Sequence, residues 1–394
     1  MDKPQKILVA MSGGIDSSAV CLQLLDAGYE VVGMTMRVWD LPRQFAHAVQ
    51  ETATDGAQPA LPPCPHGRVS IDAEPDFVLK ARALADRLGI AHHVVDVRSE
   101  FHDTVARYFV DEYVQGRTPN PCVLCNRLFK FRLMQETADR LGCERMATGH
   151  YVRTEERDGH TYLLMGDDVR KDQSYFLWRV PQPVLRRCLF PLGRMEKPAV
   201  RDYLRSKGFP LCARQGESME VCFVEGDYRD FLCDYDPDLA ERVQGGWFVD
   251  TGGKRLGVHR GVPFYTVGQR KGLGIALGQP AYVLRLNAAK NTVVLGSEAD
   301  LQCRHFLVEA PEVVCAEEFF TNSNLSVRVR YHSRPVRATV QALEDGRLLV
   351  STQESVSAVT PGQSAVFYEG RRLVGGAIIA SQRGLGAILE KVCE

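Results

Sequence analysis

No stretch of the 394-residue chain is apolar for the length a bilayer-spanning helix needs. The polar opening Met1–Lys6 also lacks the apolar core and small-residue cleavage site of a secretory signal. No membrane partner is expected, and the cytoplasm is the expected compartment. There is no internal repeat and no low-complexity tract, which sets aside solenoids and disordered linkers. Net charge is nearly absent, at -1 from 48 Lys+Arg against 49 Asp+Glu. A non-specific polyanion binder is therefore disfavoured, and any nucleic-acid contact must rest on local basic patches. The Walker loop G-x-x-x-x-G-K-[ST] is missing, which excludes the usual kinase and GTPase phosphate site. A second C-x-x-C is missing as well. The twelve cysteines are scattered along a chain too long for a secreted disulfide scaffold.

What is present is an ordinary globular composition, 45% hydrophobic and 25% charged, at a length that calls for two or three domains. Lys6–Met11 reads as a buried strand, Ala19–Asp26 as a helix ended by Gly28, and Glu30–Met36 as a second strand. This β-loop-α-β opening favours a parallel sheet. Pro42–Pro75 is proline-rich and irregular. Helices are expected at Asp76–Leu88, Phe101–Gln115 and Arg127–Leu141, and strands at His92–Val97 and Arg145–Thr148, as in a doubly wound α/β fold. From about Gly208 helical periodicity fades. After Ala281 short alternating strands follow at Tyr282–Leu286, Thr292–Leu295, Leu325–Tyr331, Val336–Ala342, Leu348–Thr352 and Ala365–Tyr368, the spacing of a small barrel or sandwich.

Between the first strand and the first helix stands Ser12-Gly13-Gly14-Ile15-Asp16-Ser17-Ser18. Glycines let backbone N–H groups curl round phosphate oxygens, and the helix N-terminus adds positive potential. Ser12, Ser17 and Ser18 offer hydroxyl donors, and Asp16 offers a ligand to a phosphate-bridging Mg2+. A plain turn capped by Ser and Asp is the competing reading. The segment resembles the PP-loop of ATP pyrophosphatases, which cleave ATP to AMP and pyrophosphate while adenylating a carbonyl oxygen.

A second motif, Thr118-Pro119-Asn120-Pro121-Cys122-Val123-Leu124-Cys125-Asn126, stiffens the chain with two prolines and puts Cys125 and Asn126 at the expected start of a helix. There the macrodipole would favour a thiolate, with Arg127 and Lys130 adding positive potential. A zinc knuckle would need two further ligands nearby, and inert buried thiols remain the other alternative. Cys222, in Gly216–Val224, reads from its neighbours alone as a packed strand cysteine.

Taken together with Met36 and Trp39, Ala147–Tyr151, Lys171–Leu177, Tyr265–Gly274 and Arg328–Tyr331, these segments resemble the tRNA-specific 2-thiouridylase family along nearly the whole chain. The resemblance implies an α/β fold. Residues 1–207 would be a PP-loop ATP-binding catalytic domain with a doubly wound parallel sheet, 208–281 a small central domain carrying the second cysteine, and 282–394 a C-terminal β-barrel that binds tRNA. It implies ATP contacts from Ala10, Met11, Ser12, Gly13, Gly14, Ile15, Asp16, Ser17, Met36 and Gly149. Cys125 would be the nucleophile, Cys222 the persulfide carrier, and Asn120, Pro121 and Cys122 the neighbours of the target base. Lys171, Asp172, Gln173, Arg330 and Tyr331 would contact tRNA.

The implied activity is ATP-dependent replacement of oxygen by sulfur on carbon-2 of the wobble uridine. A sulfur donor such as a cysteine desulfurase or relay protein is the implied partner. This chain departs from the family in having Cys122 where many members have Asp, and Glu217–Phe223 where many have a Ser-Thr-Gly-Ile-Cys-Phe-type run. The extra thiol opens a second route, a [4Fe–4S] cluster on Cys122, Cys125 and Cys222. Arg270 and Lys271 in a Gly-rich turn, and Arg328 and Arg330 read as one strand face, add candidate RNA contacts. Two other functions compete: a PP-loop synthetase amidating a small carboxylate, and a non-catalytic RNA-binding protein with a relic loop.

Overall fold

The computed structural model describes residues 4–39, 74–210, 221–224, 226–275 and 277–393. The irregular stretch Pro42–Pro75 lies almost wholly outside them, as do Cys64 and Gly216–Glu220 of the second cysteine segment. The chain divides into two compact units. The first comprises Met1–Asp103, Met134–Gly149 and Pro198–Glu225; the second comprises Thr104–Leu133, His150–Lys197 and Gly226–Glu394.

In the first unit, strands β1 (Lys6–Ala10), β2 (Glu30–Arg37), β3 (Ala91–Asp96) and β4 (Arg145–Ala147) run parallel in the order β3-β2-β1-β4. A parallel strand covered on both faces has no polar side, so Ile7, Leu8 and Val9 follow one another, all fully buried. The chain leaves β1 for β2 on one side, and β4 pairs on the other. The carboxyl end of β1 is therefore a topological switch point, where open α/β sheets bind ligands.

Helix α1 (Ile15–Asp26) starts four residues before the expected Ala19, because the glycine turn closes at Gly14 and Asp16 already lies in the first turn. Helix α2 (Asp76–Leu88) buries Val78, Ala81, Leu84 and Ala85 as one stripe. It ends as expected at Gly89, whose left-handed φ of 66° lets the Ile90 N–H reach back to the Ala85 carbonyl at 3.1 Å.

In the second unit, helix α3 (Arg107–Val114) precedes helix α4 (Pro121–Cys125), which continues through a single π-helical turn, Asn126–Lys130. Hairpin β5 (Val152–Arg157) and β6 (His160–Met165) and the short β7 (Cys188–Leu189) follow. Strands β8 (Gly246–Val249), β9 (Arg255–His259), β10 (Tyr282–Asn287) and β11 (Thr292–Gly296) form one sheet in the order β10-β11-β8-β9. Strands β10 and β11, expected in the C-terminal barrel, thus complete a central sheet instead. The cause is the register: Val293 pairs with Phe248 and with Leu286, which extends one apolar row, buried at Phe248 and Val293 and half-buried at Leu286, across three strands.

The barrel itself consists of β12 (Gln302–Val313), β13 (Leu325–Arg328), β14 (Val336–Ala342), β15 (Leu348–Ser357), β16 (Ser364–Glu369) and β17 (Arg372–Ile379). It closes by pairing β12 with β17, and β6 and β5 extend it from β17. Its core holds Phe306, Phe319, Val327, Val350, Phe367 and Ile379.

Candidate active site

The nucleotide loop is held from below. The Met11 N–H donates to the Met34 carbonyl at 2.7 Å, and the Thr35 hydroxyl donates to the Met11 carbonyl at 2.8 Å. Thr35 has one proton to give, so the 2.8 Å contact to His92 Nε2 must be donated by the imidazole. Burial and the Arg82 guanidinium hold the His92 pKa below its usual value, which leaves a neutral ring with its proton on Nε2. Gly13 has a φ of 68°, and a Cβ there would stand 2.7 Å from both Lys80 Cβ and the Phe77 carbonyl oxygen. Gly149, just after β4, lies against the start of α1, and its Cβ would sit 2.8 Å from Asp16 Cβ. These contacts set Ala10, Met11, Ser12, Gly13, Gly14, Ile15, Asp16, Ser17 and Gly149 around the switch point, with Met36 half-buried on β2.

One expectation is corrected. Ser17 and Ser18 are buried, and their hydroxyls donate inward to the Gly14 carbonyl at 3.2 and 2.8 Å, while the Ser12 N–H donates to Ser17 Oγ at 3.2 Å. They shape the loop, and only Ser12 remains exposed as a hydroxyl. The loop, the N-terminal end of α1 with its partial positive charge, and the Asp16 carboxylate fit a Mg2+-bound polyphosphate.

The cysteine motif begins its helix earlier than expected. Pro121 occupies the first helical position, where its fixed φ suits a helix and its missing N–H costs nothing. Cys122 is therefore the thiol of the first turn and Cys125 lies one turn further on, three residues away on the same face. The helix-start argument made for Cys125 belongs to Cys122. Arg127 is also not the local cation expected: its guanidinium is paired with Glu312, which Arg179 shares at 2.9 Å. Lys130 remains, with its Nζ 3.5 Å from His150 Nε2. Burial, together with that ammonium, holds the His150 pKa well below its usual value, so the imidazole is a neutral acceptor.

The preceding loop is clamped by the barrel of the same unit. The Gln363 amide donates to the carbonyls of Thr118 and Pro119 at 3.1 and 2.9 Å, and the Thr118 N–H donates to the Pro361 carbonyl at 2.8 Å. Arg117 bridges Glu112 and Glu309, both at 2.8 Å. Asn126 is buried and donates to the Phe176 carbonyl at 2.9 Å. Within this frame Asn120 is 7% exposed, yet among the described residues its Nδ2 has no partner, and neither has the buried Thr118 Oγ1. Orphaned buried donors are rare, and two within four residues of Cys122 mark a place built for a polar group.

Cys222 belongs to the first unit and is exposed. Its neighbour Phe223 is buried, edge-on to Phe101 at 5.3 Å and tilted against Trp39 at 6.1 Å; Trp39 in turn stacks on His102. The aromatic anchor fixes the backbone beside the exposed Cys222. Among the described residues no three Cys, His, Asp or Glu side chains are grouped to hold a metal ion.

The expected tRNA contacts divide. Asp172 is 2% exposed and accepts from the Gly166 and Ser174 N–H groups, from Ser174 Oγ and from Arg328 Nη1. It is an internal residue, and so is Arg328. Strand β13 ends at Arg328, and a turn in which Arg330 and Ser333 exchange hydrogen bonds follows, so Arg328 and Arg330 do not share a strand face. Gln173 holds Tyr151 through both backbone and side chain. Lys171 is half-buried. Arg330 donates to the Ala358 carbonyl at 3.0 Å, and Tyr331 lies between Phe176 and His332 with ring centroids 4.5 and 4.1 Å away. Arg270 and Lys271 are exposed on their turn. Thr35, Gln363 and Phe223 are the supporting residues that sequence reasoning missed.

Residues 5–226 match the family described as tRNA methyl transferase HUP domain. Residues 229–297 match the tRNA methyl transferase PRC-barrel domain, and 303–379 the aminomethyltransferase beta-barrel domain. The chain is 53% identical over 387 residues to a tRNA-specific 2-thiouridylase MnmA 3 of Phocaeicola vulgatus, covering 98% of this chain and 97% of that one. It is 53% identical over 390 residues to the Bacteroides fragilis protein of the same name, covering 99% and 98%. To the tRNA-specific 2-thiouridylase MnmA of Cytophaga hutchinsonii it is 41% identical over 383 residues, covering 97% and 99%.

Proposed function

The chain belongs to the tRNA-specific 2-thiouridylase family, and from that premise we propose that it replaces oxygen by sulfur on carbon-2 of a tRNA wobble uridine, driven by ATP, in the cytoplasm. The observation that carries the reading is the loop Thr118–Cys125. It carries two thiols one turn apart, a few residues after a buried amide and a buried hydroxyl that lack partners among the described residues. A uracil offers carbonyls and an N–H to such groups, and an extruded base brings them within reach. A small-carboxylate amidating synthetase needs no such pair of thiols, and a non-catalytic RNA binder needs no nucleotide loop.

The carbon-2 oxygen attacks the α-phosphorus of ATP and pyrophosphate leaves; Asp16 would hold a Mg2+ ion, which would neutralise phosphate charge. The terminal sulfur of a persulfide on Cys222, loaded by a desulfurase or relay protein, attacks carbon-2 and AMP leaves. The Cys125 thiolate then attacks the inner sulfur, which frees the thiocarbonyl base and leaves a Cys125–Cys222 disulfide for an external dithiol to reduce. Asn120, Pro121 and Cys122 flank the base; Lys171, Gln173, Arg330, Tyr331, Arg270 and Lys271 meet the RNA. A [4Fe–4S] cluster on Cys122, Cys125 and Cys222 is the alternative route. Anaerobic iron and sulfide analysis separates the two.

The test is thiolation of a wobble-uridine tRNA with ATP and a persulfide donor, read as 2-thiouridine by nucleoside mass. Cys125→Ser and Cys222→Ser should each abolish product while tRNA binding survives, and a single turnover should yield the mixed disulfide peptide. Normal turnover in either variant removes that cysteine from the mechanism.

A further inference from the structure

The outer face of the β8–β11 sheet has no part in the scheme above. Register places Trp247 opposite Val258 on one side and Thr292 on the other, and Arg285 opposite Val294, so these side chains share a face. The Phe248 row forms the buried side. Trp247 is 36% exposed and Val258 60%. The Arg255 guanidinium lies over the Trp247 ring, 4.3 Å from its centroid, and holds the indole in place. Arg255 and Arg285 are both exposed. Between Gly246 and Lys290 seven Lys or Arg stand against one carboxylate, Asp250, in a chain whose net charge is -1. The preceding helices, Tyr228–Tyr235 and Leu239–Val243, carry the acidic residues of this region.

Two apolar side chains are too few for the core of a stable protein interface, which buries about 800 Å2 on each partner. A cationic face with one pre-oriented indole suits RNA, whose phosphates meet arginines and whose unpaired bases stack on aromatics. We infer that this face is a second RNA-docking surface, on which Trp247 stacks an unpaired base of the tRNA body, away from the wobble position, while Arg255 and Arg285 meet neighbouring phosphates. The inference rests on the proposed tRNA substrate.

The test uses the full chain with full-length tRNA and, separately, its isolated anticodon stem-loop. Trp247→Ala should raise KM for full-length tRNA about tenfold at unchanged kcat, and Trp247→Phe should restore most of the loss. Arg255→Glu and Arg285→Glu should weaken tRNA binding and flatten its salt dependence. None of the four should alter thiolation of the stem-loop. Should the Trp247 variants fold poorly by circular dichroism, the two arginine variants carry the test. Parent-like KM and salt slope in the variants, with thiolation intact, overturn the surface while leaving the proposed function standing. A change in oligomeric state at unchanged tRNA affinity also overturns it, in favour of a second copy of the chain. A parent enzyme that neither binds nor thiolates tRNA overturns the underlying reading instead.

Discussion

Replacing Asp172 distinguishes a structural carboxylate from an RNA contact. Asp172 is 2% exposed and receives four hydrogen bonds, one of them from Arg328 Nη1 at 2.9 Å, and Arg328 is itself only 6% exposed. Asp172→Asn keeps the shape but removes the charge, turns one acceptor into a donor facing donors, and strands a guanidinium whose Nε already has no partner. Breaking a buried pair from one side costs about 3–5 kcal/mol. At about 2–4 °C per kcal/mol for a unit of this size, the melting temperature should fall by roughly 6–20 °C. Arg328→Met alone should cost less, because the carboxylate keeps its three other donors. In the double variant, losing the guanidinium should recover much of the Asp172→Asn loss, a coupling on the order of 0.5–3 kcal/mol. Calorimetry of the four proteins reads the cycle, and tRNA affinity is measured below the lowest melting transition. An unchanged melt for Asp172→Asn, with KM for tRNA raised, would refute the buried-pair account and return Asp172 to the RNA surface.

Gly149→Ala drives a methyl group against Asp16 Cβ and should lower kcat/KM for ATP by roughly ten- to a hundredfold, through a displaced loop, with little change in melting temperature; pyrophosphate release at varied ATP reads it. Gln363→Leu removes both donors to the Thr118 and Pro119 carbonyls, and Gln363→Glu faces them with acceptors. Both should reduce kcat for thiolation at unchanged KM for ATP, with Glu the worse. His259 is buried and its pKa is held down to about 4 by that burial, while its Nδ1 accepts from the Gly261 N–H at 3.0 Å. Between the unfolded value near 6.5 and the folded value, the unfolded state binds the extra proton. Stability is therefore full above about pH 6.5 and lost as pH falls toward 4, on the order of 3 kcal/mol. His259→Asn keeps an acceptor for Gly261 and should remove that slope in pH-dependent denaturant melts.

Local chemistry was legible. The apolar run Ile7–Val9, the glycine turn at Gly13–Gly14 and the stop at Gly89 each write their structure within a few residues, so β1, the nucleotide loop and the end of α2 were found with small errors. The start of α4 was missed because Pro121 was read as loop stiffening, whereas at the first helical position it is a helix starter. Strand β12 was missed because Arg304, His305, Glu309 and Pro311 break the alternation. A bulge between Glu309 and Glu312, with Ala310 at a φ of 48°, lets the strand absorb them.

What stayed hidden was the pairing of polar residues far apart in the chain. Asp172 and Arg328 look like RNA contacts, and Arg127 like a cation beside a thiol, because of their residue types, but sequence does not show which polar side chains are already taken. Asp172 is spent on Arg328, Arg127 on Glu312, Arg117 on Glu309, and Gln363 on the Thr118–Pro119 carbonyls. Three of these four tie the segment 117–127, which carries Cys122 and Cys125, to strands or loops of the barrel. The β12 bulge aims Glu309 and Glu312 at the two arginines that bracket the motif. The barrel therefore sets the backbone on which the thiols and the Asn120 amide are presented. Residues 104–133 accordingly belong to one compact unit with 226–394.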